Sequence, residues 1–149
     1  MSHSTFVIPT LDQDIQALQE EHKDVLDRLE KNPHITFCYF GRASPCTDEM
    51  KETIEALWND LSESDKEIQL DKFTTFKTRR GPLLVCLIQC SNKLIELRNT
   101  IYEKYHIIDH IIDHNPHITI GKLKPEISII QKNAKRFQKY SIEKLKYHD

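Results

Sequence analysis

A chain of 149 residues, 38% hydrophobic and 30% charged, is long enough to bury about two-thirds of its unfolded surface around an independent core. A formal net charge of −2 and a sequence pI near 6.4 argue against a surface for long nucleic acid, and no apolar run approaches the ~20 residues of a membrane span. Cys38, Cys46, Cys86 and Cys90 form no CxxC pair and MSHSTFVIP has no secretory pattern, so the expectation is a monomeric cytoplasmic protein with reduced thiols.

Thr5–Pro9 reads as a short first strand. Residues 11–30 follow as an amphipathic helix, with Ile15, Leu18, Val25, Leu26 and Leu29 at helical spacing and a solvated acidic face. The word Asn32-Pro33-His34-Ile35-Thr36 then opens a strand that ends at Gly41. Ser44-Pro45 and Thr47-Asp48 mark a loop and the start of a helix over 48–61, with Met50, Ile54, Leu57, Trp58 and Leu61 on its apolar side. Ile68–Phe76 is a strand, Lys77–Pro82 a turn, and Leu83–Cys90 a strongly apolar strand. A third helix runs from Ser91 or Asn92 to Tyr105. Next comes YHIIDHIIDH, in which His106, His110 and His114 recur every fourth residue with Asp109 and Asp113 between them. That spacing suits zinc ligands on a helix, but an accidental doubling of IIDH in a linker is the stronger reading. Asn115-Pro116-His117-Ile118-Thr119 repeats the earlier word and opens a strand to about residue 123. After Pro125 the tail reads as a short helix over 127–138 and a final strand, with a basic excess read as solvated surface.

The repeated word carries the chemistry. Proline is tolerated at a strand's first residues, and the residues after it favour a strand. With side chains alternating faces, His34 and Thr36 share one face, as do His117 and Thr119, while Ile35, Phe37, Ile118 and Ile120 point into a core. If the two polar fronts meet, they line a cleft with two imidazoles and two hydroxyls. Such a pair supplies a neutral base and a protonated acid near neutral pH, which is what transfer at a phosphodiester requires. The hydroxyls hydrogen-bond non-bridging phosphate oxygens as charge builds there. This chemistry calls for no metal and no cofactor.

The paired H-x-T words, with PHITF and its following FG, and PHITIGKL near the C-terminus, resemble the LigT-like branch of the 2H phosphoesterase superfamily along nearly the whole chain. The resemblance implies an α+β bilobal fold, one domain over 1–149, with two antiparallel-rich sheets around a central cleft and helices outside. It implies metal-independent cleavage at a ribose 2′ oxygen, with His34 and His117 catalytic and Thr36, Thr119 and Lys122 binding substrate. Relatives either open cyclic phosphates in RNA or nucleotide metabolism or cut 2′-5′ linkages in oligoadenylates and cyclic dinucleotides, blunting innate immune signals. A short chain without a basic surface favours a short nucleotide of the second kind. A 2′,3′-cyclic phosphodiesterase and a catalytically idle nucleotide-binding module are the alternatives. Arg79 and Arg80 are further candidates for phosphate, against a solvated turn. Phe76 and Tyr39 are candidates to stack on a base, with core packing the stronger reading for Tyr39.

Overall fold

The computed structural model describes residues 2–41, 45–107, 116–127, 130–134 and 138–148. Its strands are β1 (Ser2–Val7), β2 (Leu26–Leu29), β3 (Thr36–Gly41), β4 (Glu67–Thr78), β5 (Gly81–Cys90), β6 (His117–Leu123), β7 (Lys132–Asn133), β8 (Lys139–Ser141) and β9 (Lys144–His148). The helices are α1 (Asp12–Glu21), α2 (Asp48–Asn59) and α3 (Asn92–Lys104). The strands form two antiparallel sheets, ordered β3-β1-β9 and β2-β6-β5-β4-β7, with β8 also on β4. No helix among the described residues is long and apolar enough to cross a membrane.

Two helices start where their caps dictate. The Thr47 hydroxyl accepts from Met50 N at 3.2 Å to open α2, and Ser91 accepts from Leu94 N at 3.1 Å to open α3. Ser91 also donates to the Asp65 carbonyl at 2.9 Å, tying α3 to the turn before β4. Trp58 of α2 packs on Phe6 and Phe37, with ring centroids 6.2 Å from each, so that α2 covers the apolar back of the small sheet.

The helix expected over 11–30 is much shorter. It ends at Glu21, and Leu26–Leu29 is a strand, β2, hydrogen-bonded to β6. The buried His22 ring closes α1 by bonding the Leu18 carbonyl through Nδ1 at 2.8 Å and lies 4.7 Å from the Phe73 ring. Leu26 is buried but Leu29 is 48% exposed, so the apparent helical stripe does not continue into the core. Pairing with β6 satisfies the backbone that a longer helix would have bonded internally. The helix expected over 127–138 is likewise corrected. Lys132–Asn133 pairs with Lys72–Phe73 instead, and Ile130 N donates to Thr75 Oγ1 at 3.0 Å. The final strand is present as β9, and the first strand, Ser2–Val7, begins three residues and ends two residues earlier than expected. Ser44 and Asp109–His114 lie outside the described residues.

The two repeated words meet at the seam between the sheets. Ile35 forms an antiparallel bridge with Ile118, and both are in the core, at 2% and 0% exposure. Immediately after each word its ladder takes an extra residue, and on β3 a second follows at Phe40. On β3, Thr36 pairs with Thr5 and Cys38 with Ser4, which leaves Phe37 over. On β6, Thr119 pairs with Val85 and Gly121 with Leu84, which leaves Ile120 over. A bulge of this kind reverses the faces of the residues beyond it, up to the next irregularity. Cys38 is therefore buried, and Tyr39 returns to the partly exposed front; on β6, Gly121 is buried and Lys122 returns to the front.

Candidate active site

The Ile35–Ile118 bridge decides how the four polar side chains sit. In an antiparallel pair the residues flanking a bridged pair project to the opposite face. With both isoleucines inward, His34, Thr36, His117 and Thr119 all turn outward. Burial agrees: His34 is exposed, and Thr36, His117 and Thr119 are half-buried. Thr36 stands opposite His117 and His34 opposite Thr119, so the two histidines are diagonal neighbours, a relation that sets backbone positions about 7–8 Å apart in an antiparallel pair. The His117 ring lines one cavity and the His34 ring another, on either side of that diagonal. His34 itself precedes β3 rather than lying in it.

The His34 ring is oriented by its own chain. Its Nδ1 lies 2.8 Å from the Asn32 carbonyl oxygen, which can only accept, so Nδ1 carries the proton. In the neutral ring Nε2 is then the free lone pair. The His117 ring meets Phe76 of β4 edge-on, with centroids 4.9 Å apart. Phe76 is thus beside a histidine.

His117 and Thr36 also line a cavity of about 250 Å³ with Tyr39, Arg98 and Tyr102. Tyr39 is in this wall rather than packed in the core. Strict alternation from His34 would place it with Ile35, and the Phe37 bulge reverses that. The Tyr39 backbone N–H donates to the Tyr102 hydroxyl at 3.1 Å, which ties β3 to α3. Arg98 and Tyr102 were not expected from sequence, because on α3 they fall among the residues that the helix buries.

Lys122 reaches the same face through the second bulge. Its side chain runs over Gly81, where a Cβ would lie 3.0 Å from Lys122 Cε. Gly81 also has φ of +108°, in the hairpin turn after Arg79 and Arg80. Lys122 shares a second cavity with Arg28, Glu30, Leu29, Arg80 and Leu83. Arg80 is therefore brought to Lys122, while Arg79 stands exposed in the turn beside it. Arg28 is a third cation here that the sequence did not single out, because it was read into the long first helix.

Among the described residues no group of three or more His, Cys, Asp or Glu could hold a metal ion. His106 has a left-handed backbone, φ 51°, just past α3, while its companions His110 and His114 are outside the described residues. Cys38, Cys46, Cys86 and Cys90 are free thiols, and burial pushes Cys86 up to about 12 and Cys90 up to about 11.

The sequence matches the 2′-5′ RNA ligase superfamily over residues 8–144. The chain belongs to that superfamily. Solved structures show the same fold. Escherichia coli LigT complexed with NADP+ aligns at 15% identity with a TM-score of 0.66, covering 98% of this chain and 85% of LigT. LigT complexed with 3′-AMP aligns at 16% identity and the same TM-score, with the same coverage. TT0787 of Thermus thermophilus aligns at 12% identity and TM-score 0.65, covering 98% of this chain and 86% of that one. No curated protein sequence matches significantly. The LigT-like superfamily and its two-sheet α+β fold are thus as the paired words implied.

Proposed function

We propose that this protein is a metal-independent phosphodiesterase of short 2′-5′-linked nucleotides, with His34 as general base and His117 as general acid. The observation that supports it best is the Ile35–Ile118 bridge, which puts two imidazoles and two hydroxyls on one face across the seam. In a 2′-5′ linkage the neighbouring 3′ hydroxyl is free and adjacent to phosphorus. Nε2 of His34 takes its proton, the oxygen attacks phosphorus, and His117 protonates the departing 5′ oxygen. Thr36, Thr119 and Lys122 bond the non-bridging oxygens as charge accumulates. Arg80 and Arg28 extend positive charge from Lys122 along the cleft, with Arg79 at its rim. Phe76 and Tyr39 offer faces for a base. The first product is a 2′,3′-cyclic phosphate. The two imidazoles supply both proton transfers and the hydroxyls bind the non-bridging oxygens, so the mechanism calls for no cofactor. The crystallised complexes of LigT with NADP+ and 3′-AMP support a nucleotide as the ligand class. Four free thiols favour a reducing compartment such as the cytoplasm.

The test is turnover in EDTA of a panel: 2′-5′ diadenylate, a mixed-linkage cyclic dinucleotide, their 3′-5′ counterparts and a 2′,3′-cyclic nucleotide. Expected are cleavage of the 2′-5′ linkages, a cyclic phosphate as first product, and a bell-shaped pH profile belonging to the histidine pair. Cleavage of the cyclic nucleotide alone would transfer the reading to RNA-end metabolism. Binding without turnover would make the chain an idle nucleotide-binding module. A 3′-deoxy analogue cut as fast as its parent would make water the nucleophile.

A further inference from the structure

The small sheet carries a second set of basic groups beyond the first repeated word. His3 on β1 pairs in register with His148 on β9, and Thr5 pairs with Lys146. These four are two residues apart on each strand and so share a face. On the other side of β1, Thr5 pairs with Thr36 and His3 with Tyr39, so it is the face that carries the first word's threonine. The His3 ring centroid is 5.9 Å from that of His34 and stacks on His148 at 4.6 Å, with 16° between the planes. The Thr5 hydroxyl is 3.0 Å from His148 Nε2. Three imidazoles thus run outward from His34 across β1 to β9, with Lys146 alongside. They line a cleft of about 510 Å³ whose described lining holds one carboxylate, Asp12.

We propose that His3, Thr5, Lys146 and His148 form a second phosphate subsite, which takes the phosphate next along the substrate from the one held between His34 and His117. This rests on the phosphodiesterase reading given above. Stacked imidazoles beside an ammonium repel one another once protonated, and an anion alongside them lowers that cost. Burial, then His3, Lys146 and His34, all hold His148 below its ordinary value of 6.5. A bound phosphate opposes those charges and draws a proton onto the ladder. Affinity at this subsite therefore rises as pH falls, with His3 from β1, Lys146 and His148 from β9, His34 from the segment before β3 and Asp12 from α1 as the groups facing it. The preferred substrates are thus 2′-5′ oligonucleotides with a phosphate beyond the scissile one, rather than bare dinucleoside monophosphates.

The experiment compares 2′-5′ diadenylate bearing a 5′-phosphate, a 2′-terminal phosphate or neither, on the unaltered chain and on Lys146→Ala and His148→Gln. One of the phosphorylated forms should show a kcat/KM about tenfold above the bare form, as expected for charge-assisted hydrogen bonds, and both variants should reduce that ratio toward one. No advantage from either phosphate, or an advantage that survives both substitutions, overturns the subsite. If the unaltered chain cuts none of the three and also leaves the mixed-linkage cyclic dinucleotide intact, the phosphodiesterase reading fails; whenever none of the three is cut, the subsite is judged by binding. Inorganic pyrophosphate should then give a saturable shift of the His3 and His148 imidazole resonances that Lys146→Ala weakens. No saturable shift, or one that Lys146→Ala leaves alone, overturns the subsite on its own account.

Discussion

At the scale of single residues, the two histidines have the same neighbours in sequence but different ones in space. His34 is held by a backbone carbonyl two residues earlier, which fixes the tautomer that leaves Nε2 without a proton in the neutral ring. His117 instead sits against the Phe76 ring and faces the cavity with Tyr39 and Arg98. Replacing either with Ala should lower turnover about 10²–10⁴-fold, the usual span for a general acid or base. The two losses should differ in how they respond to the leaving group. A dinucleotide analogue whose 5′ nucleoside is exchanged for p-nitrophenol departs without a proton. It should restore most of the rate of His117→Ala and little of that of His34→Ala. Restoration of His34→Ala instead would exchange the roles, and near-normal turnover of both variants on the natural linkage would remove the mechanism.

At the scale of elements, what was legible followed from local pattern. The repeated word, the caps Thr47 and Ser91 and the apolar runs placed β3 to β6, α2 and α3 within a few residues. What was not legible was set by partners distant in sequence. Ile15, Leu18, Val25, Leu26 and Leu29 fit one helical stripe, yet the last two belong to a strand whose only reason for being extended is β6, almost a hundred residues later. The two bulges were equally invisible, since an extra residue shows only against its partner strand, and they decide that Tyr39 and Lys122 return to the face of the threonines. One residue records the β2–β6 contact. At Gly121 a Cβ would lie 2.4 Å from the Arg28 carbonyl oxygen and 3.2 Å from Leu29 Cα, both backbone atoms that cannot swing aside. Gly121→Ala should therefore force β2 away from β6 and destabilise the chain by about 1–3 kcal/mol, the range for overpacking. Hydrogen exchange should show the loss concentrated at residues 26–30. Unchanged stability and protection would mean that β2 is not seated against β6 as described.

At the scale of the whole molecule, the candidate site exists only because the two sheets are joined. Each word lies on a different sheet, and their direct link is the Ile35–Ile118 bridge, with both side chains buried beneath the four polar groups. Truncating Ile118 to Ala removes buried methyl groups from that joint without touching a polar atom. The loss should be about 2–5 kcal/mol, as for other large-to-small changes in a close-packed core. At a temperature where the variant remains folded, kcat should also fall, because a shift of about 1 Å in the spacing of two catalytic groups is enough to cost ~10²-fold. The shape of the pH profile should hold, since both imidazoles keep their neighbours, and this separates displacement from loss of an acid or base. A control with the same kind of truncation away from the seam is Ile54→Ala on α2, also fully buried. It should cost similar stability and leave kcat nearly unchanged. If both truncations lower kcat alike, the effect is general loosening of the core, and the bridge has no special part in positioning the histidines.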